Sequence, residues 1–196
     1  MTSIDKPFSQ SCENNKQVIL NVLEQVLKDS SNLLEIGSGT GQHAVYLGEQ
    51  LSHLTWQTSD MKQNHKGILA WLAESSANNI SAPVEFTLGK SDWPQGEFDA
   101  VFTANTTHIM QPSEAKLMMQ MVAQNLSDGG VFCQYGPFNI DGQYTSESNK
   151  KFDQHLQAED CGGIRDIAEL VGWAKGVTLV EKVLMPANNF LLIWRK

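Results

Sequence analysis

The sequence lacks several features that mark specialised classes of protein. It has no long hydrophobic run, since stretches such as 190–194 fall far short of the roughly 20 apolar residues that span a bilayer. The cysteines, Cys12, Cys133 and Cys161, are odd in number and form no C-x-x-C pair. This pattern excludes a disulfide framework and a cysteine zinc site, and it favours reduced thiols.

The sequence is also poor in positive charge. Fourteen Lys and Arg residues stand against 22 Asp and Glu residues, for a net charge of -8. Nonspecific binding to nucleic acid is therefore disfavoured, although a local basic pocket is compatible with this charge. The segment 1–11 has one Lys and no apolar centre. We therefore expect no secretory signal, no membrane partner and a cytoplasmic location.

Hydrophobic spacing predicts helices and strands in alternation. Neither a repeat nor a Pro-rich or Gly/Ser-rich linker divides the 196 residues, so we expect one domain over 1–196, with a helical segment at 1–30. The predicted strands are 33–36, 54–59, 84–88, 98–103, 131–135, 177–184 and 189–194. The predicted helices are 13–28, 44–51, 65–77, one following Ser113 as N-cap, and one carrying Ile164, Ile167, Ala168 and Val171 on one side. Residues 140–163 are polar and are predicted to form an irregular cap after the fifth strand.

This order of elements predicts an α/β fold. Strands that alternate with helices form a mostly parallel sheet covered on both faces, and two late strands joined by a short bend form an antiparallel hairpin at its edge. The expected architecture is a doubly wound, Rossmann-like sheet of seven strands. Ligands of such folds bind beyond the carboxyl ends of the strands.

A glycine-rich turn follows the first strand. Residues 35–42 read Glu-Ile-Gly-Ser-Gly-Thr-Gly-Gln, and the glycines allow a tight turn and a close approach of a ligand to the helix N-terminus. A dinucleotide fingerprint needs a small residue where Gln42 stands. Glu35 would also repel a pyrophosphate, whereas it could accept a hydrogen bond from the amino group of a cationic ligand.

Two further acids follow the next strands. Asp60 ends the second strand, where a carboxylate can bind both ribose hydroxyls, and Asp92 follows the third strand beside Trp93. Asp92 there could hold an adenine amino group, or it could merely cap a turn. Together with the glycine turn, these acids indicate a nucleoside ligand with a positively charged end.

The stretch 34–41 resembles the first motif of class I S-adenosylmethionine-dependent methyltransferases, and the order of strands resembles that fold over nearly the whole chain. The segments 8–15, 105–110, 135–139, 145–149, 163–166 and 185–189 resemble, more narrowly, a methyltransferase-like family described as a domain of unknown function.

The resemblance implies S-adenosylmethionine as cofactor and S-adenosylhomocysteine as product. It implies that Glu35 and the glycines hold the methionine moiety, Asp60 the ribose and Asp92 the adenine. The predicted cofactor-binding residues are Glu35, Gly37, Ser38, Gly39, Gly41, Asp60, Met61, Asp92, Trp93 and Asn105.

Methyl transfer from a sulfonium needs few protein groups, because the methyl is already electrophilic. The predicted catalytic residues are His108 and Tyr135, with His108 as the general base because an ordinary imidazole pKa suits proton removal at neutral pH. A purely structural, hydrogen-bonded role for His108 is an equal alternative. The predicted substrate-binding residues are Asn14, Asn139, Tyr144 and Arg165.

The sequence therefore predicts a methyltransferase that acts on oxygen or nitrogen of a small molecule, with no metal ion. A noncatalytic module that binds the cofactor or a protein partner on the same fold is one alternative. An NAD(P)-dependent oxidoreductase is a second alternative, and Glu35 and Gln42 argue against it.

Overall fold

The computed structural model describes residues 6–196, and the first five residues of the predicted 1–30 segment lie outside this range. The strands are β1 (Asn32–Ile36), β2 (Thr55–Asp60), β3 (Ile80–Glu85), β4 (Ala100–Ala104), β5 (Val131–Gly136), β6 (Thr178–Met185) and β7 (Asn189–Arg195). The helices are α1 (Gln10–Val26), α2 (Gln42–Gln50), α3 (His65–Leu72), α4 (Pro112–Asn125), α5 (Glu147–Ala158) and α6 (Ile167–Trp173), with short 3-10 helices at Lys62–Asn64 and Pro186–Asn188.

The seven strands form one sheet in the order β3-β2-β1-β4-β5-β7-β6. β1 runs parallel to β2 and β4, and β2 runs parallel to β3. β7 is antiparallel to both β5 and β6, as expected for a C-terminal hairpin. The Rossmann-like, doubly wound fold with seven strands is therefore confirmed.

The chain divides into two compact units, and the division falls inside β4, after Phe102. In the first unit, which is described over 6–102, the core contains fully buried side chains that include Leu33 and Trp56. In the second unit, 103–196, the core includes Phe132, Trp194 and the α4 residues Met118, Met119 and Val122. The predicted single-domain organisation stays a prediction.

The prediction that 140–163 is irregular is wrong over 147–158, which form α5. The buried residues of α5 are Asn149, Asp153 and Leu156, so two of the three side chains on its inner face are polar. Hydrophobic periodicity is consequently absent, so the apolar spacing of the sequence does not reveal this helix. Ser146 caps α5 by accepting a hydrogen bond from the Asn149 backbone NH at 3.1 Å.

Several predicted boundaries are also shifted. β3 ends at Glu85 rather than at 88, and Ile164 precedes α6. The N-cap of α4 is Gln111, not Ser113, because Pro112 occupies the first helical position and Glu114 completes a capping box with Gln111. Over 6–196, no helix has the length and apolar character needed to cross a bilayer.

Candidate functional site

The glycine turn of the first unit is fastened to the end of β2. The backbone NH groups of Gly37 and Ser38 both donate to the Ser59 carbonyl oxygen at 3.0 Å. The Ser59 hydroxyl donates to the Glu35 carbonyl oxygen at 2.6 Å. The turn that the sequence predicts is thus held rigidly between β1 and α2.

Two glycines of this turn serve different purposes. Gly41 has φ +93°, and a Cβ there would lie 3.0 Å from the Ile68 Cα and 3.3 Å from the Trp71 Cβ, so this glycine allows close packing on α3. Gly39 has φ +58°, but a Cβ there would meet no atom within 4 Å. Gly39 therefore leaves its side of the turn open to a ligand.

Glu35 is almost completely buried, with 2% of its surface exposed. Its Oε2 accepts hydrogen bonds from the Ser38 hydroxyl at 2.8 Å and from the Trp56 indole NH at 3.1 Å. Burial raises the pKa of Glu35 to about 7, and the negative charge of Asp60 adds to the rise. Near neutral pH this carboxyl is therefore poised to lose its proton when a cation approaches.

Asp60 lies at the end of β2, as predicted, and is 6% exposed. One carboxylate oxygen accepts from the Gly39 backbone NH at 2.7 Å, and the other accepts from the Met61 backbone NH at 2.7 Å and the Asn64 side-chain amide at 2.8 Å. Since a carboxylate offers about four acceptor positions, about one is left for a ligand. The Met61 side chain is 41% exposed.

Asp92 and Trp93 lie in the loop between β3 and β4. Asp92 is exposed. The Trp93 ring packs edge to face against Phe86 and Phe98, with ring centroids 5.8 Å and 6.5 Å apart, while its indole NH is buried without a hydrogen-bond partner in the structure. Trp93 thus combines a place in an aromatic cluster with a buried donor that has no partner.

The inner face of α1 bears a polar cluster that the sequence analysis missed. The predicted residue, Asn14, is exposed and accepts a hydrogen bond from Gln10 at 2.9 Å. The next residue, Asn15, is buried, and its Oδ1 lies 2.7 Å from the Nε2 of His43. Burial lowers the pKa of His43 to about 4.

Gln42 joins α1 to the glycine turn. Its side-chain amide donates to Glu13 at 3.0 Å, and its oxygen accepts from the Ser9 backbone NH at 2.5 Å. The helical spacing of Cys12, Asn15 and Ile19 was the available indication that this face of α1 turns inward.

In the second unit, three side chains gather around Gly136 at the end of β5. A Cβ on Gly136 would lie 3.8 Å from the His108 Nδ1, 3.8 Å from the Phe138 ring and 4.0 Å from the Asn105 Oδ1. Asn105 adopts φ +57°, and its backbone NH donates to the Tyr135 carbonyl oxygen at 2.9 Å. The structure therefore brings the predicted residues Asn105 and His108 together.

His108 is 6% exposed and packs edge to face on Phe152 of α5, with ring centroids 5.3 Å apart. Burial lowers the pKa of His108 to about 4, and the charge of Asp153 opposes that change. The prediction of an ordinary imidazole pKa is therefore wrong. The ring is neutral across the physiological range, and it is a weaker base than the sequence analysis assumed.

Two further predicted residues are already engaged in hydrogen bonds. Tyr135 is 3% exposed, and its hydroxyl accepts from the Asn189 side-chain amide at 3.1 Å. The Asn139 backbone NH donates to the Arg165 carbonyl oxygen at 2.9 Å. The Asn139 side-chain oxygen, in contrast, is buried without a hydrogen-bond partner in the structure.

Tyr144 bonds α5, whereas Arg165 bonds the backbone that follows α5. Tyr144 is 38% exposed, and its hydroxyl donates to the buried Asp153 at 2.7 Å, which raises the pKa of Tyr144. The guanidinium of Arg165 donates to the carbonyl oxygens of Gly163 at 3.2 Å and Gly162 at 2.5 Å. Arg165 thus braces its own backbone. Asp153 was missed because α5 was not predicted.

No group of three or more His, Cys, Asp or Glu side chains is arranged to hold a metal ion in the described part of the chain. Burial raises the pKa of Cys133, in β5, to about 12.

A family model described as "Protein of unknown function (DUF938)" matches residues 6–196. The chain belongs to the DUF938 family. Its fold is that of class I methyltransferases, as three solved structures with low sequence identity show.

The first is an O-methyltransferase family protein from Burkholderia thailandensis, with a TM-score of 0.81 and 16% identity over 95% of this chain and 57% of that one. The second is human N-acetylserotonin methyltransferase, with a TM-score of 0.80 and 14% identity over 95% and 53%. The third is an O-methyltransferase family 2 protein from Planctomyces limnophilus, with a TM-score of 0.75 and 13% identity over 93% and 62%. The DUF938 chain thus spans little more than half the length of these proteins.

Proposed function

We propose that this chain is an S-adenosylmethionine-dependent methyltransferase that acts on oxygen or nitrogen of a small-molecule acceptor. The observation that supports this most strongly is the glycine turn of the first unit. That turn is open at Gly39 and is flanked by the buried Glu35 and by Asp60. A cationic nucleoside suits these two acids, whereas a pyrophosphate does not.

The residues present fit this cofactor. The open side of Gly39 leaves room for the methionine moiety, and Asp60 keeps about one acceptor position for a ribose hydroxyl. Adenine is proposed to bind at the exposed Asp92, next to Trp93, whose buried indole NH is unpaired. Glu35 favours a bound cation because its pKa of about 7 allows it to ionise near neutral pH.

When bound, S-adenosylmethionine supplies an electrophilic sulfonium methyl. The chain itself has to orient the acceptor, exclude water and accept a proton. We assign the acceptor side to His108, Asn139 and Tyr144 of the second unit. His108 is neutral at pH 7, so its ring is free of the proton that it has to accept.

The printed names of two structural neighbours support a small acceptor. The human enzyme is an N-acetylserotonin methyltransferase solved in complex with S-adenosylmethionine, and the Planctomyces protein was solved with apigenin. N-acetylserotonin and apigenin are both small aromatic molecules. No nucleic acid is proposed as an acceptor, since the chain has a net charge of -8.

A second candidate is a noncatalytic module that binds the same cofactor. Two observations favour it: burial makes His108 a weak base, and the Tyr135 hydroxyl is already bonded to Asn189. This module would bind the cofactor and transfer no methyl group.

Calorimetric titration tests the proposal, with S-adenosylmethionine, S-adenosylhomocysteine and NAD as ligands. We expect micromolar binding of the two sulfur nucleosides and none of NAD. Asp60→Ala should weaken that binding by more than about 1 kcal/mol through the loss of charged hydrogen bonds. Asp29→Ala, at a side chain that is 89% exposed, is the matched control and should bind normally.

Failure of the folded protein to bind either sulfur nucleoside would overturn both candidates. Binding with full affinity by Asp60→Ala would remove Asp60 from the site. Turnover separates the candidates: S-adenosylhomocysteine released with an acceptor panel supports the enzyme, and His108→Ala should then slow turnover without weakening cofactor binding.

A further inference from the structure

Asp153 of α5 is a buried carboxylate at the centre of a network in the second unit. It is 4% exposed. One of its oxygens accepts from the Ile164 backbone NH at 2.6 Å, and the other accepts from the Tyr144 hydroxyl at 2.7 Å and the Gln157 amide at 2.8 Å. The carboxylate thus joins three separate parts of the segment that follows β5.

This network also contacts His108. The backbone NH of Gly163 donates to the His108 carbonyl oxygen at 3.0 Å, and a Cβ on Gly163 would lie 2.6 Å from the Asp153 Oδ1. Phe152, the neighbour of Asp153 in α5, packs edge to face on the His108 ring. The imidazole is therefore enclosed by the same helix that bears the carboxylate.

The charges around the imidazole are unbalanced. From α5 the ring experiences Asp153, whose negative charge favours the imidazolium form, while burial opposes it. The 162–165 segment carries Arg165, whose guanidinium donates to the carbonyl oxygens of Gly162 and Gly163 and lies 3.9 Å from the Glu169 carboxylate. Tyr144 presents a neutral phenol that donates to Asp153. The groups around Gly136, namely Asn105 and Phe138, are uncharged.

We infer that Asp153 is a positioning residue for the acceptor site: it holds Tyr144 and fixes the 162–164 backbone that bonds the His108 carbonyl oxygen, and it stabilises the imidazolium that forms when His108 takes a proton from the acceptor. The inference rests on the proposed function. The acceptor's O–H or N–H bond breaks and its proton moves to the imidazole. The acceptor atom bonds the methyl group as the bond from that methyl to the sulfonium sulfur breaks, and S-adenosylhomocysteine is the leaving group. The acceptors concerned are hydroxyls or ammonium groups, which must lose a proton to give a neutral methylated product.

The position of Tyr144 adds a requirement for the acceptor. Because the Tyr144 hydroxyl donates its proton to Asp153, its oxygen is left to accept a hydrogen bond from a ligand. Tyr144 is 38% exposed, so a ligand can reach it. The Tyr144 oxygen therefore suits an acceptor that carries a hydrogen-bond donor.

The test is an NMR titration of the histidine rings between pH 2.5 and 7.5, with His108 assigned by a His108→Gln variant. In Asp153→Asn we expect the His108 pKa to fall below its wild-type value, because the opposing negative charge is gone. Asp160→Asn removes an exposed carboxylate from the same segment and should leave the His108 pKa unchanged. Single-turnover methyl transfer by Asp153→Asn should slow about tenfold while cofactor affinity is retained.

An unchanged His108 pKa in folded Asp153→Asn would overturn the inference. The titration needs no turnover, so it stays decisive even where no acceptor is methylated and the proposed function itself fails. Tyr144→Phe serves where Asp153→Asn does not fold, because it removes a donor from the carboxylate but keeps the charge. Because the negative charge remains, the His108 pKa should not fall in Tyr144→Phe, and a fall would refute the electrostatic role.

Discussion

Two glycine segments of this molecule, around Gly39 and around Gly162, have opposite steric surroundings. Around Gly39, in the first unit, the backbone turns sharply and leaves empty space where a side chain would be. At Gly162, in the second unit, an added Cβ would overlap the carbonyl oxygen of Met110 and lie 2.8 Å from its carbonyl carbon. Glycine admits a ligand in the first segment, and it admits the protein's own backbone in the second.

A buried acid accompanies each segment. Glu35 accompanies the first segment, and one of its oxygens accepts two hydrogen bonds. Asp153 accompanies the second segment and accepts three hydrogen bonds, which are divided between its two oxygens. The comparison teaches that an open glycine turn suits ligand binding, whereas a closed one fixes a loop. The predictions below test that difference, beginning with the largest effect.

Gly162→Ala should destabilise the protein by about 4 kcal/mol or more, since its Cβ would meet backbone atoms of Met110 and Gln111 that cannot swing aside. Denaturant unfolding measures this change. Gly172→Ala is the matched control, because it lies in α6 with no atom within 4 Å of its Cβ, and it should raise stability by about 0.5–1 kcal/mol. Wild-type stability in Gly162→Ala would show that the 162–163 segment is loosely packed and would remove the contrast.

This contrast also explains what the sequence could predict. The order of strands and the turn at 37–41 follow from local patterns, namely hydrophobic spacing and clustered glycines. The α5 helix buries Asn149 and Asp153, so it lacks the apolar stripe by which a helix is predicted from sequence. The contacts of Asp153 with Tyr144 and Ile164 join residues 9 and 11 positions apart through side chains, and no spacing rule anticipates them.

The pKa values of the site residues could not be predicted from the sequence, for the same reason. Burial decides whether His108 and Glu35 are charged, and burial depends on packing from distant segments such as α5 and Trp56. Sequence position alone therefore supported an ordinary pKa for His108, which the structure contradicts. The residue types at the candidate site were predictable, but their protonation was not.

Glu35→Gln should change the pH dependence of stability. The folded state raises the Glu35 pKa from 4.5 to about 7, so the folded protein binds the extra proton between these values. The stabilisation is complete below about pH 4.5, and it is lost as the pH rises through about 7, by roughly 3 kcal/mol in all. Denaturant titrations of both proteins from pH 4 to 8 measure the difference.

His43 and His108 act in the opposite direction, because burial lowers their pKa values to about 4 and their stabilisation is lost as the pH falls. Both histidines remain in Glu35→Gln, so their effect cancels when the variant is subtracted from wild type. Asp29→Asn, at an exposed side chain, is the control for charge removal and should reproduce the wild-type curve. A wild-type pH profile in Glu35→Gln would mean that Glu35 is ionised without cost, and the first segment would then lack its poised acid.

Gly39→Ala should have the smallest effect on stability and a large effect on ligand binding. At φ +58° an alanine costs about 1–2 kcal/mol of backbone strain, and its Cβ meets no protein atom within 4 Å. Gly129→Ala is closely matched, at φ +78° with the same empty surroundings, and lies in the turn before β5. The two variants should unfold alike, but Gly39→Ala alone should lose S-adenosylhomocysteine binding in calorimetry. Equal binding by both variants would show that the space beside Gly39 is solvent rather than a cofactor site, because a methyl group placed there would then obstruct nothing.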